Sequence, residues 1–155
     1  MKILLDENVP VQATAVLECT LRGHSIAHVD TFQRRGTRWK GKKDKHLLPD
    51  LKAAGFQVFV TKDRSQLSDP EETRLIRQSK VHHVRFTQAA GMAGFARAVG
   101  ALIAAMPGVV QELESVAGQR LVRIQALDPK VRRFEIVDPA TDPPAYWKAT
   151  GRRVR

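Results

Sequence analysis

The chain has 155 residues, 43% of them hydrophobic, a length and composition suited to one domain with a core of its own. Its formal charge of +10 and pI near 10.4 argue against a basic partner and point to a polyanion, most often nucleic acid. Its single cysteine, Cys19, excludes an intramolecular disulfide, fits a reducing cytoplasm, and lies in an apolar helical pattern that predicts burial.

Residues 2–6 read as a first strand, and the apolar run Ile3-Leu4-Leu5 within it is too short for a signal peptide. Asn8 is placed to cap a helix that has Pro10 in its first turn, runs to about Arg22 and stops at Gly23. Residues 25–29 read as a second strand, followed by a polar loop from Asp30 to Lys43. Residues 47–54 read as a helix ended by Gly55, with Pro49 making its first turn irregular. A third strand is predicted at 57–61. Asp69-Pro70-Glu71-Glu72 then supplies a capping Asp, a proline at the first helical position and an acid three residues on.

A fourth strand follows at 81–86. Phe95, Val99, Leu102, Ile103 and Met106 share one face of a helix that Pro107-Gly108 is expected to break, leaving a second short helix at 109–117. Arg97 and several glycines interrupt this most apolar segment, so no membrane span and no membrane partner are expected. Residues 120–126 and 131–137 read as two strands joined at Asp128-Pro129 in a hairpin, and 138–155 as a basic tail with little regular structure. Alternating strands and helices imply an α/β fold with a parallel sheet. The α/β domain is expected to occupy 1–117, with 118–155 as an appendage of hairpin and tail.

Two of these strands run into an aspartate. The first ends at Asp6, and the third leads through Thr61-Lys62 to Asp63. Apolar strands of a parallel sheet are buried on both faces, and ligands bind beyond their carboxyl ends, so Asp6 and Asp63 are expected to face one crevice. Asp44, before the third strand, can join them. Carboxylates gathered there repel unless a cation or a shared proton separates them, and three would suit a hard divalent ion such as Mg²⁺ that orients a phosphodiester and activates water. Taken singly, Asp44 also reads as a helix cap and Asp63 as a turn residue. Asp6 at the end of a buried strand needs a partner in any reading.

Seven of the twelve residues from Arg34 to Lys45 are Lys or Arg. Arg34, Arg35, Arg38, Lys40, Lys42 and Lys43 can bind phosphates without regard to sequence, and Trp39 among them can stack on an unpaired base. Lys62 and Arg64 flank Asp63 and complete the expected RNA-binding set. The competing reading is a solvated loop. His82 and His83 are adjacent on a strand and point to opposite faces, so they cannot grip one metal together. His24 and His28 read as surface or packing residues, and His46 alone lies near an acid. The sequence holds no zinc spacing, phosphate loop, dinucleotide fingerprint or nucleophile elbow.

The opening Met1-Lys2-Ile3-Leu4-Leu5-Asp6-Glu7-Asn8 resembles that of PIN-like nucleases, in particular a short bacterial subfamily opening Met-Lys-φ-Leu-φ-Asp-Glu-Asn. The similarity continues through Arg22-Gly23-His24, His28-Val29-Asp30, Asp44 and Val60-Thr61-Lys62-Asp63-Arg64. The resemblance implies a three-layer α/β/α PIN-like fold with a mostly parallel sheet, and an acidic pocket binding Mg²⁺ or Mn²⁺. It implies cleavage of single-stranded RNA by a metal-activated water, and a cytoplasmic toxin restrained by a small antitoxin. By resemblance Asp6 and Asp63 are metal ligands and Asp44 completes the catalytic set. Larger PIN domains use a fourth acid, for which Glu7, Asp30 and Asp69 are candidates, Glu7 being the one added to the expected metal set. Three occupants stay open for the hairpin and tail: the antitoxin, a second copy in a homodimer, or RNA.

Two alternatives stand beside this reading. A binding module without catalysis would keep the basic loop and use the acids as caps. A phosphatase of the haloacid-dehalogenase type needs Asp-x-Asp, where this chain has Asn8, and so strongly basic a receiver domain would be unusual.

Overall fold

The computed structural model describes residues 1–62, 65–142 and 144. In chain order the elements are β1 (Lys2–Leu5), α1 (Ala13–Thr20), β2 (Ser25–His28), β3 (Gln33–Arg34), β4 (Thr37–Arg38), α2 (Asp44–Ala53) and β5 (Val58–Thr61). A 3-10 turn at Ser65–Leu67 precedes α3 (Pro70–Ser79), β6 (His82–Phe86), α4 (Gly91–Ser115) and β7 (Leu121–Ile124). Five strands form one sheet in the order β2-β1-β5-β6-β7, and every neighbouring pair is parallel.

The alternation of side chains along each strand sorts the core into two layers. Ile3, Leu5, Val58, Val60, Val84 and Phe86 face Ala13 and Leu17 of α1 and Ala98, Leu102, Met106 and Val110 of α4. Leu4 and Phe59 face the other way, with Leu47, Leu48 and Leu51 of α2, Ile76 of α3, Trp39 and Phe56. This is the expected α/β/α arrangement. The chain leaves β1 for β2 on one side and returns to β5 on the other, so the strand order reverses between β1 and β5. In doubly wound sheets such a reversal opens a crevice at the carboxyl ends of the strands.

Asp69 caps α3 as its sequence predicts, accepting from the Glu72 amide at 2.8 Å. Asn8 does not cap α1. That helix starts later, with Gln12 at its N-cap, and the side chain of Asn8 is engaged elsewhere. Cys19 is exposed rather than buried, because the inner face of α1 is taken by Ala13 and Leu17. The polar loop contains the short antiparallel ladder β3–β4, and α2 begins at Asp44 with Pro49 inside it.

Further on, α4 runs unbroken through Pro107. Pro107 is exposed, so the carbonyl one turn back can be hydrated, while buried Met106 and Val110 on either side hold the helix to the sheet. By length and composition α4 would suffice to cross a membrane, contrary to expectation, yet its inner face belongs to the core of the α/β unit. The expected hairpin is not formed: β7 pairs in parallel with β6, and residues 131–137 have no regular structure. The strand after α4 therefore completes the central sheet, and the α/β unit extends past the expected boundary at 117 to Ile124. The tail at 145–155 lies outside the described residues.

Candidate carboxylate site and basic strap

Asp6 stands just beyond β1, at the reversal point. Its amide donates to the Val60 carbonyl at 2.9 Å, fastening the end of β1 to β5. Its side chain is buried, at 4% exposure. Oδ1 accepts from the Glu7 amide at 2.8 Å, and Oδ2 accepts from the Thr61 hydroxyl at 2.7 Å and the Asn8 amide at 2.8 Å. Asn8 Oδ1 in turn accepts from the Lys62 amide at 2.9 Å, so Asn8 clips the turn after β1 to the chain leaving β5. His28 braces the same turn, donating from Nε2 to the Val9 carbonyl at 2.7 Å, which makes it the packing residue expected.

Burial pushes the Asp6 carboxyl up to about 6. The Thr61 hydroxyl and Glu7 amide oppose that rise by bonding to the charged form, and the negative charges of Asp44 and Glu7 add to it. Asp44 is therefore within electrostatic reach of Asp6. It opens α2, and its Oδ2 accepts from Gln66 Nε2 at 2.6 Å. Gln66, wholly buried, meets His83 Nε2 through Oε1 at 3.0 Å. Burial, with Arg85 second, lowers the His83 pKa to about 4, so the ring is neutral at pH 7.

The structure thus brings Asp6 and Asp44 into one neighbourhood. Asp63 and Arg64 lie outside the described residues. Glu7 is exposed beside Asp6. Asp69 is occupied as a helix cap, and the Asp30 amide donates to His28 Nδ1. Among the described residues no three His, Cys, Asp or Glu side chains group closely enough to hold a metal ion. What is present, two mutually repelling carboxylates with one of them buried, fits a hard cation by donor type.

Beside Asp44 runs the basic strap. Arg38, Lys40, Lys43 and Lys45 are exposed, and with Lys42 and His46 they line a shallow hollow. Arg35 sits in the β3–β4 turn with φ of +49°, next to Gly36. Arg34 is tied back, donating to the Ala53 carbonyl at 2.7 Å. Lys42 pairs with Asp50 and lies 5.0 Å over the Trp39 ring, and Lys62 Nζ donates to Gln88 Oε1 at 3.2 Å. The expected stacking role of Trp39 is corrected. The ring is buried, edge-on to Phe32 with centroids 4.7 Å apart, and offers no open face to a base.

Sequence reasoning missed four polar residues of the site: Asn8, Thr61, Gln66 and His83. Asn8 and Thr61 carried a signal, since each lies two residues from a strand-end Asp. Gln66 and His83 carried none. No curated protein and no solved structure matches the chain. A family model described as a PIN like domain matches residues 1–88, more than half of the 155, and the chain belongs to the PIN-like domain family, whose members are typically nucleases.

Proposed function

We propose that the protein is a divalent-metal-dependent endoribonuclease that hydrolyses phosphodiesters of single-stranded RNA, acting in the cytoplasm as the toxin of a bacterial toxin–antitoxin pair. A small antitoxin and a second copy of the chain are its proposed protein partners. The observation that best supports the chemistry is Asp6, a buried carboxyl pushed up to about 6 at the reversal point of a parallel sheet, with the charge of Asp44 beside it. Such a carboxylate gains most from a nearby cation.

In this reading Asp6 and Asp44 hold Mg²⁺ or Mn²⁺, and Asp63, two residues past the end of β5, and Glu7, next to Asp6 in sequence, complete the set. The bound ion supplies a lowered water pKa and neutralises charge on the phosphodiester. Thr61 and Asn8 keep the Asp6 carboxylate in one orientation. Arg38, Lys40, Lys43 and Lys45 bind RNA phosphates along the strap, delivering the backbone to the acids without reading its sequence.

A second reading, an RNA-binding module without catalysis, is favoured by a specific observation. Both oxygens of Asp6 already accept hydrogen bonds, three in all, which is what a purely structural carboxylate would do. Cleavage of a fluorescent single-stranded RNA with Mg²⁺, Mn²⁺ or EDTA, by wild type and Asp6→Asn, separates the two. The nuclease reading expects metal-dependent cleavage that falls at least about a hundredfold in a folded Asp6→Asn protein. RNA bound but uncut by wild type under all three conditions would leave the binding module.

A further inference from the structure

We propose that Gln66 is a positioning residue for the Asp44 carboxylate, and that His83 sets which way the Gln66 amide points. The inference rests on the carboxylate–metal reading above.

Gln66 sits in the 3-10 turn between β5 and α3, with none of its surface exposed. A buried amide is costly unless both ends are bonded, and both are: Nε2 to Asp44 Oδ2 at 2.6 Å and Oε1 to His83 Nε2 at 3.0 Å. An ionised carboxylate only accepts, so the amide nitrogen must face Asp44 and the amide oxygen must face His83. The oxygen accepts, so His83 carries its proton on Nε2. His83 Nδ1 is buried with no hydrogen-bond partner, the nitrogen better left unprotonated.

The proton positions along the relay are therefore fixed from β6 to the first residue of α2. Without the His83 donor the Gln66 amide is free to turn and present its oxygen to Asp44, which would repel the carboxylate. Core packing alone asks for no such relay, since apolar side chains of similar volume would fill the space at no polar cost. The relay ends on one of the two acids proposed to hold the metal. Outer partners that orient metal-binding side chains commonly matter by about 10- to 100-fold in affinity.

The test measures Mn²⁺ binding to the intact protein by calorimetry, together with the ¹⁵N NMR signature of the His83 ring. Wild type is expected to bind Mn²⁺ and to show His83 protonated on Nε2, with binding lost in Asp44→Asn. Gln66→Met, of similar volume, should bind about 10- to 100-fold more weakly. His83→Phe, which leaves Gln66 in place, should weaken binding in the same direction and serves if Gln66→Met does not fold. His83→Gln, which restores an amide donor, should recover part of the loss. Equal affinity in wild type, Gln66→Met and His83→Phe would overturn the positioning role while leaving the metal reading intact, as would His83 protonated on Nδ1. No Mn²⁺ binding by wild type would overturn the metal reading and the positioning role with it.

Discussion

The two faces of the sheet are filled with different chemistry. Under α1 and α4 the layer is aliphatic apart from Phe86: Ile3, Leu5, Val58, Val60, Val84, Leu102 and Met106. Under α2 and α3 it holds Trp39, Phe56 and Phe59, and the buried polar residues Gln66 and His83 lie on this side, His83 beside the Phe59 ring. Strand alternation puts Asp6 in step with Leu4, and Thr61 in step with Phe59, so the acid end belongs to this second face. That layer contributes mainly burial, with His28 at its edge bracing the turn after β1. The aromatic and polar layer anchors the basic strap through Trp39 and reaches Asp44 through hydrogen bonds, so what supports the site is concentrated on one side.

The sharpest way to break that comparison is to empty each layer in turn. Trp39→Ala should lower unfolding free energy by about 3–5 kcal/mol and Leu102→Ala by about 2–5 kcal/mol, both read from urea denaturation. Only Trp39→Ala should also speed proteolysis within residues 34–45. Equal proteolysis in the two variants would deny Trp39 its role as the anchor of the strap.

The next effect is a pair of opposed pH dependences. Asp6 has an ordinary pKa of 3.8 and a folded value of about 6, so the stability it contributes is present below pH 3.8 and lost as pH rises through 6. His83 has an ordinary value of 6.5 and a folded value of about 4, so its contribution is present above pH 6.5 and lost as pH falls through 4. Each is worth about 3 kcal/mol, and between pH 4 and 6 the two nearly cancel. His82, partly buried, is shifted in the same direction as His83. Asp6→Asn should leave a stability that climbs with pH across this window, and His83→Phe one that falls. Denaturation curves for both variants parallel to wild type would show that neither group is shifted.

The smallest effect concerns the strap alone. Replacing Lys40, Lys43 and Lys45 together by Ala should flatten the dependence of log affinity for single-stranded RNA on log salt by about 2, with the fold unchanged. An unaltered slope would place the phosphate contacts elsewhere on the chain.

Legibility in the sequence followed the range of the forces involved. The order of strands and helices, the cap at Asp69 and the strand-end position of Asp6 are local patterns, and the structure keeps them. The departures arise where distant residues decide. Pro107 reads as a helix breaker, but contacts of Leu102, Met106 and Val110 with the sheet carry α4 past it. Residues 120–126 and 131–137 look like a hairpin because they are near each other in sequence, whereas the open edge of β6 claims the first of them. Trp39 sits amid seven cations and reads as exposed, yet Phe32 and Phe56 supply an aromatic recess for it. Gln66 and His83 are unremarkable as letters, and only the fold joins them to Asp44.

The placement of β7 bears on how the molecule comes together. Its partner β6 ends at Phe86, and the 25-residue α4 intervenes before Leu121 arrives. On a ribosome β1, β2, β5 and β6 can emerge and pair while one border of the sheet is still bare. Until α4 has emerged and β7 follows it, the backbone of β6 remains a template for any other extended chain. The stretch matched by the family, 1–88, ends within that vulnerable interval. Closing the sheet late makes assembly of the nuclease-type domain depend on the segment that lies beyond its family signature.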